Sequence, residues 1–291
     1  MEVNIRLSTG WNPFFTDDDA RLYTSVDVVR KKFLQEKGKK LREESIQRYS
    51  SFVEVFAKWL KNNTKIEYFS MVNKVSVVKF MDYIYSERNV SSRTFNNYVK
   101  LGRVFFNWAK ERCYTKENPF EAVKTKPKTD KKRIIIPQNT REQVTNYLLS
   151  SPEEKNYLVV LKLVYSTLLR PAEIRKLKIG NVNLANKTIT VPSSVSKNKK
   201  QRIVPLTDDV VESLATLNLA AHPASYFIMG QELKPNCKPL TKYYMGKYWE
   251  NLREKLSLPK EMQLYSLRDS GISEMLNLCF RTQNQPVFRV L

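Results

Sequence analysis

The chain of 291 residues carries one histidine, His222. A histidine-rich metal site is therefore excluded, as is a pair of histidines for acid–base work. A Ser-His-Asp triad would have to use His222, which sits in a polar Ala-His-Pro-Ala stretch, so that chemistry is set aside. The seven glycines include no G-x-G pair. Neither a dinucleotide fingerprint nor a phosphate-binding P-loop can be drawn. Cys113, Cys237 and Cys279 are far apart and form no C-x-x-C. That spacing argues against a zinc ribbon and fits a reducing compartment. No apolar run approaches the roughly 18 residues of a membrane span, and the N-terminus has no signal-peptide core. The expectation is a soluble, cytoplasmic protein with no metal and no cofactor.

Charge of one sign is abundant. Lys and Arg total 50 against 29 Asp and Glu, a formal +21 with a pI near 9.8. Such an excess points to nucleic acid first and an anionic membrane surface second. The basic residues are spread through folded-looking segments and form no amphipathic anchor, which disfavours the membrane. Hydrophobic residues make up 42% and charged residues 27%, ordinary for a globular protein. The length suggests two domains.

Residues 1–25 mix Pro, Asp and aromatics without a period and read as an N-terminal arm or disordered segment. From Val26 the pattern is helical. Ile46, Tyr49, Val53, Phe56 and Leu60 step by three and four and place one apolar stripe on a helix. Val75, Val78, Asp82 and Tyr85 continue the spacing less cleanly. Phe95, Tyr98, Leu101, Phe105 and Trp108 form a third stripe, with Ser91 or Ser92 as its N-cap. Asn118-Pro119 closes the region, because proline cannot continue a helix. Residues 26–122 thus read as a helical bundle. Residues 123–136 read as a basic linker in which Lys124 to Arg133 holds six basic residues and one acid. It is either a solvated hinge or a strap against phosphates. Residues 137–291 read as a mixed domain. A helical face runs through Tyr157, Leu158, Leu161, Val164, Tyr165 and Leu168, and Pro171 restarts a helix at its first position. Thr188 to Val191 and Arg202 to Leu206 read as a β-hairpin. Asp208 or Asp209 caps the next helix, and helices run on to about Asn277.

Three sequences stand out in the mixed region: Leu169-Arg170-Pro171-Ala172-Glu173-Ile174, Ser196-Lys197-Asn198-Lys199-Lys200-Gln201-Arg202, and Leu264-Tyr265-Ser266-Leu267-Arg268-Asp269. Their order, behind a basic helical domain, resembles the tyrosine recombinases, the phage and transposon integrases, over about residues 26–277. The resemblance implies a mainly α fold with a small β-sheet (α+β), an N-terminal helical core-binding (SAM-like) domain and a mixed catalytic domain. It implies that the two domains clamp a duplex, and that strand cleavage and rejoining proceed through a 3′-phosphotyrosine. Arg170 matches the first catalytic arginine, Lys197 the hairpin lysine and Arg268 the second arginine. Tyr265 stands where the family usually has His. Glu173 matches an acid often seen after the first arginine. The lysine assignment is open to Lys199 and Lys200.

The chemistry of these residue types agrees. Two arginine forks stay charged and can bind the non-bridging oxygens of a phosphodiester, as an oxyanion hole binds a carbonyl oxygen. A lysine can protonate the departing 5′ oxygen. A tyrosine hydroxyl forms the covalent intermediate. Tyr265 in place of His can donate one hydrogen bond but cannot shuttle a proton near neutral pH. Taken singly, Arg170 and Glu173 are also what a surface i,i+3 ion pair looks like. Lys124, Lys126, Lys128, Lys131, Lys132, Arg133, Lys199, Lys200 and Arg202 are the expected DNA contacts.

The departure lies downstream. No tyrosine follows Tyr265, and from Leu278 the chain shows no helical period. The catalytic domain therefore reads as cut short before its nucleophile, by frameshift, early stop or natural end. The expected function is a site-specific recombinase or integrase by family that binds double-stranded DNA without cleaving it. The expected partners are DNA and either a second copy or a full-length recombinase on paired sites. The alternatives are a catalytically inactive DNA-binding regulator of recombination and a non-specific nucleic-acid-binding protein.

Overall fold

The computed structural model describes residues 21–127, 133–152 and 154–283, and side chains through residue 278. The chain divides into two compact units, residues 1–130 and 131–291.

The first unit is helical. Its helices are α1 (Val26–Lys40), α2 (Glu43–Asn63), α3 (Lys74–Asp82) and α4 (Ser92–Lys110). Each start has a local cause where a short polar side chain is available. Ser25 accepts from the Val28 amide, Asn73 and Ser76 cap α3 reciprocally, and Ser91 accepts from the Thr94 amide. The core is a cluster of rings. Phe33, Phe52, Phe56, Phe69, Phe80, Phe105, Phe106 and Phe120 are all buried, mostly in edge-to-face pairs such as Phe56 on Phe80 at 4.9 Å. Gly102 is required by this packing, since a Cβ there would lie 2.3 Å from the Phe120 ring. Asn118 locks the end of the unit. Its side chain accepts from the Phe120 amide and donates to the Arg103 carbonyl and to Asn107.

The stripes expected on α2 and α4 face this core. The stripe expected through Val75, Val78 and Tyr85 does not: all three are exposed, and Val77, Phe80, Met81 and Ile84 are buried instead. The capping box at Asn73 fixes where α3 begins, and packing of the denser apolar set chose its inward face.

The second unit contains α5 (Gln138–Ser150), α6 (Lys155–Ser166), the single turn α7 (Pro171–Ile174), α8 (Asp208–Ala215), α9 (Tyr244–Lys255) and α10 (Leu264–Gln283). An antiparallel sheet of β1 (Val182–Asn183), β2 (Thr188–Val191) and β3 (Arg202–Pro205) lies in the order β1-β2-β3. The β2–β3 hairpin pairs Val191 with Arg202 and Thr188 with Pro205. Helix α6 is buried nearly all round, from Tyr157 to Val164, and is the spine of this core. The Tyr157 hydroxyl donates to the Met245 carbonyl, and the Trp249 indole donates to the Met262 carbonyl.

Details differ from the sequence reading. Thr207 is the N-cap residue of α8, and Asp208 and Asp209 occupy its first turn, where they oppose the helix dipole favourably. The β-branched run before Pro137 divides, with Ile134 and Ile135 exposed and Ile136 buried, its amide donating to Ser270 on α10. Helix α10 continues past Asn277 to Gln283, although the sequence from Leu278 shows no amphipathic period. Residues 1–20, 128–132, 153 and 284–291 lie outside the description, and with them most of the arm and the middle of the linker.

Candidate active site

Three segments distant in sequence meet in one cavity of about 420 Å³. Thr167, Leu168 and Arg170 come from the turn between α6 and α7. Ser196, Asn198, Lys200 and Arg202 come from the β2–β3 hairpin, and Arg268 comes from α10. Leu168 sits at φ 55, in the left-handed region that costs a non-glycine residue about 1–2 kcal/mol. Its carbonyl accepts from Arg268 Nε at 2.8 Å. This bond is a direct tie between the two expected arginine segments. Gly271, one turn beyond Arg268, permits it. A Cβ at Gly271 would lie 2.2 Å from the Tyr165 carbonyl oxygen, so only glycine lets α10 come this close to the end of α6.

Glu173 is the buried centre of the site, with 1% of its surface exposed. Its carboxylate accepts from the Arg170 amide at 3.1 Å and from Arg170 Nη1 at 3.2 Å. It accepts from Arg202 Nη2 at 2.8 Å and Nη1 at 3.3 Å, and from the Lys197 amide at 3.4 Å. Burial alone would raise the Glu173 carboxyl. The hydrogen bond from Arg202 and that from the Arg170 backbone outweigh it and hold the group below the ordinary carboxylate value. The Arg170–Glu173 pair is thus one edge of a buried network, not a surface i,i+3 pair.

The other expected residues fall as follows. Lys200 lines the cavity; Lys197 and Lys199 are not among its lining. Lys197 is held here by its backbone, and Lys199 takes the left-handed turn of the hairpin at φ 55. Tyr265 is 37% exposed, outside the cavity lining, with the Arg133 guanidinium 5.3 Å from its ring centre. Arg133 also pairs with Asp269 at 3.4 Å. Arg202 is bound to Glu173. Lys124 is exposed. Lys126 is tethered to the first unit: its amide and carbonyl both bond the Asn96 side chain at 2.8 Å, and its ammonium lies 3.4 Å from the Tyr85 ring centre. Lys128, Lys131 and Lys132 lie outside the described residues.

Sequence reasoning did not single out Thr167, Leu168 or Asn198 as cavity residues. Leu168, expected on the helical face with Tyr165, lies beyond the end of α6 at Ser166 and turns left-handed, and its importance is its backbone carbonyl.

Comparison with known proteins now decides the family. Residues 135–282 match the phage integrase family, and residues 27–128 match the phage integrase SAM-like domain. The chain belongs to the phage integrase family. Among curated integrase relatives, the chain is 24% identical to the tyrosine recombinase XerD of Staphylococcus saprophyticus over 79% of this chain and 76% of XerD. It is 36% identical to the integrase of Shigella phage Sf6 over 84 residues, 28% of this chain and only 22% of the Sf6 protein. Among solved structures, lambda integrase bound to DNA superposes with a TM-score of 0.69 at 12% identity, covering 90% of each chain. The Tn1549 transposon integrase in complex with transposon right end DNA gives 0.68 at 16% identity over 88% of this chain and 87% of that one. These likenesses agree with the mainly α, α+β integrase fold. Among the described residues there is no group of three or more metal-ligating side chains, and no helix is long and apolar enough to cross a membrane.

Proposed function

We propose that this chain is a site-specific DNA recombinase of the tyrosine class, acting on double-stranded DNA in the cytoplasm. The observation that carries the proposal is the convergence of Arg170 and Arg268 on one cavity, tied through the Leu168 carbonyl and faced by the lysine-bearing hairpin. Two fixed guanidinium forks are what a metal-free phosphodiester cleavage needs where charge develops. In this reading residues 26–122 are the core-binding domain, residues 123–136 the linker and residues 137–291 the catalytic domain. Arg170 and Arg268 hold the scissile phosphate. Lys197 supplies the proton to the leaving 5′ oxygen, with Lys200 beside it on the phosphate. Tyr265 stands in for the family His, and entry of DNA would have to turn it from Arg133 toward the cavity. Lys124, Lys126, Lys128, Lys131, Lys132, Arg133 and Lys199 add phosphate contacts. A second copy, or a full-length recombinase, would occupy the paired site, as in the lambda integrase dimer and tetramer structures.

Residues 266–291 contain no tyrosine. A polypeptide of residues 1–291 is therefore expected to bind its site without forming a phosphotyrosine, acting as a DNA-binding regulator unless a nucleophile is supplied from elsewhere. The test is a nicked suicide duplex carrying the recombination site. Binding with no covalent adduct is expected, and an adduct would overturn cleavage deficiency. Site-specific binding should exceed binding to random duplex by about 10³-fold or more. Affinity that tracks salt and ignores sequence would overturn the recombinase reading in favour of a non-specific binder.

A further inference from the structure

Arg202 belongs by composition to the basic hairpin, and a basic residue beside a phosphate cavity reads as a phosphate contact. Its geometry says otherwise. Both terminal nitrogens of its guanidinium bond the buried Glu173 carboxylate, and Nη1 also reaches Ser196 Oγ at 3.4 Å. A two-point fork on a carboxylate is the strong, directional form of this pair. The same carboxylate holds the Arg170 amide, the Arg170 guanidinium and the Lys197 amide. One anion thus joins the first strand residue after the hairpin turn, the turn itself and the arginine of α7.

We infer that Arg202 is a positioning residue that, through Glu173, locks the Lys197-bearing hairpin against Arg170, and that it is not a ligand of DNA. This rests on the recombinase reading for its purpose but not for its geometry. The charge count supports it. Arg170 and Arg202 share one carboxylate, so the cluster keeps a net positive charge for an incoming phosphate while the two guanidiniums are held apart by a common partner. Were Arg202 to leave Glu173 for DNA, the buried carboxylate would lose its shortest hydrogen bond, and the anion that the Lys197 amide bonds would be left to Arg170. The lowered Glu173 carboxyl agrees with a permanently occupied anion.

The test uses the 291-residue chain with Arg202→Ala, Arg202→Lys and Lys200→Ala. Two readouts are taken: amide exchange of Lys197, and the slope of log affinity against log salt for a DNA duplex. A positioning Arg202 predicts Lys197 exchange faster by on the order of tenfold in Arg202→Ala, restored at least in part by Arg202→Lys, with the salt slope unchanged. Lys200→Ala should leave exchange unchanged and lower the slope by about 0.9, one phosphate contact. A slope loss of that size in Arg202→Ala, with Lys197 exchange unaltered, overturns the inference. If Arg202→Ala does not fold, Glu173→Gln replaces it and must loosen the same amide, and an unaltered Lys197 amide there also overturns the inference. Failure of the wild-type chain to bind any duplex would sink the recombinase reading alone, because the exchange arm decides the role of Arg202 without DNA.

Discussion

Both units rest on apolar cores, the first rich in phenylalanine and the second mainly aliphatic, and they differ in how they place their charges. The first packs nine buried phenylalanines into one cluster, and Glu36 sits near the surface between Trp108 and Arg112. The second buries a carboxylate at its functional centre and surrounds it with guanidiniums. Burial of apolar area is non-directional and tolerant of small shifts. A buried ion network is directional and fails when one member is removed. The unit proposed to orient a phosphate thus adds a directional, buried ion network to its apolar core.

Substitutions can break this comparison. Phe105→Ala should destabilise the first unit by about 3–5 kcal/mol in urea unfolding, with little dependence on pH between 4 and 8. Glu173→Ala should cost the second unit a similar about 3–5 kcal/mol, because two guanidiniums lose their shared anion. A loss under about 1 kcal/mol would mean that water replaces the carboxylate easily, and the contrast between the units would fall. Acid sharpens the same point. A carboxyl whose folded pKa lies below its unfolded value contributes stability above that value, about 4.3, and loses it as pH falls through the folded one. The wild-type second unit should therefore weaken below about pH 4, and Glu173→Gln should remove that part of the dependence.

Gly271→Ala should cost about 1–3 kcal/mol from crowding against the Tyr165 carbonyl. It should also move Arg268 away from Leu168, which a crystal structure of the variant would show directly. Smaller still, Asn96→Ala should cost about 1 kcal/mol and free residue 126 from the first unit, read as faster exchange of the Lys126 amide. The smallest effect is spectroscopic. The Tyr165 hydroxyl, pushed up to about 12 by burial and by its hydrogen bond to Glu274, should ionise late in an alkaline absorbance titration. Tyr165→Phe should delete that late step and leave the others unchanged.

Much of the first unit was legible from spacing, because an amphipathic helix writes its buried face at three- and four-residue intervals. The stripes of α2 and α4 were readable for that reason. Helix α3 was misread because it carries valines on both faces, at 75 and 78 as well as 77, and only packing chooses between them. Arg170, Lys197 and Arg268 stand in order in the sequence, but that Arg170 and Arg268 share one cavity whose lining takes Lys200 and not Lys197 could not be read there. The extension of α10 to Gln283 was not, since a helix end with no amphipathic period leaves no pattern to count.

From the sequence alone followed the family, the net positive charge that favours an anionic partner, and the α+β class. These depend on composition, local periodicity and short motifs, all carried within a few residues. Only the tertiary structure assigned Arg202 to Glu173, 29 residues upstream, and Arg268 to the Leu168 carbonyl, 100 residues away. Gly271 likewise shows its purpose only beside Tyr165. Such contacts have no local signature, because a hydrogen bond depends on distance and direction in space and not on separation along the chain.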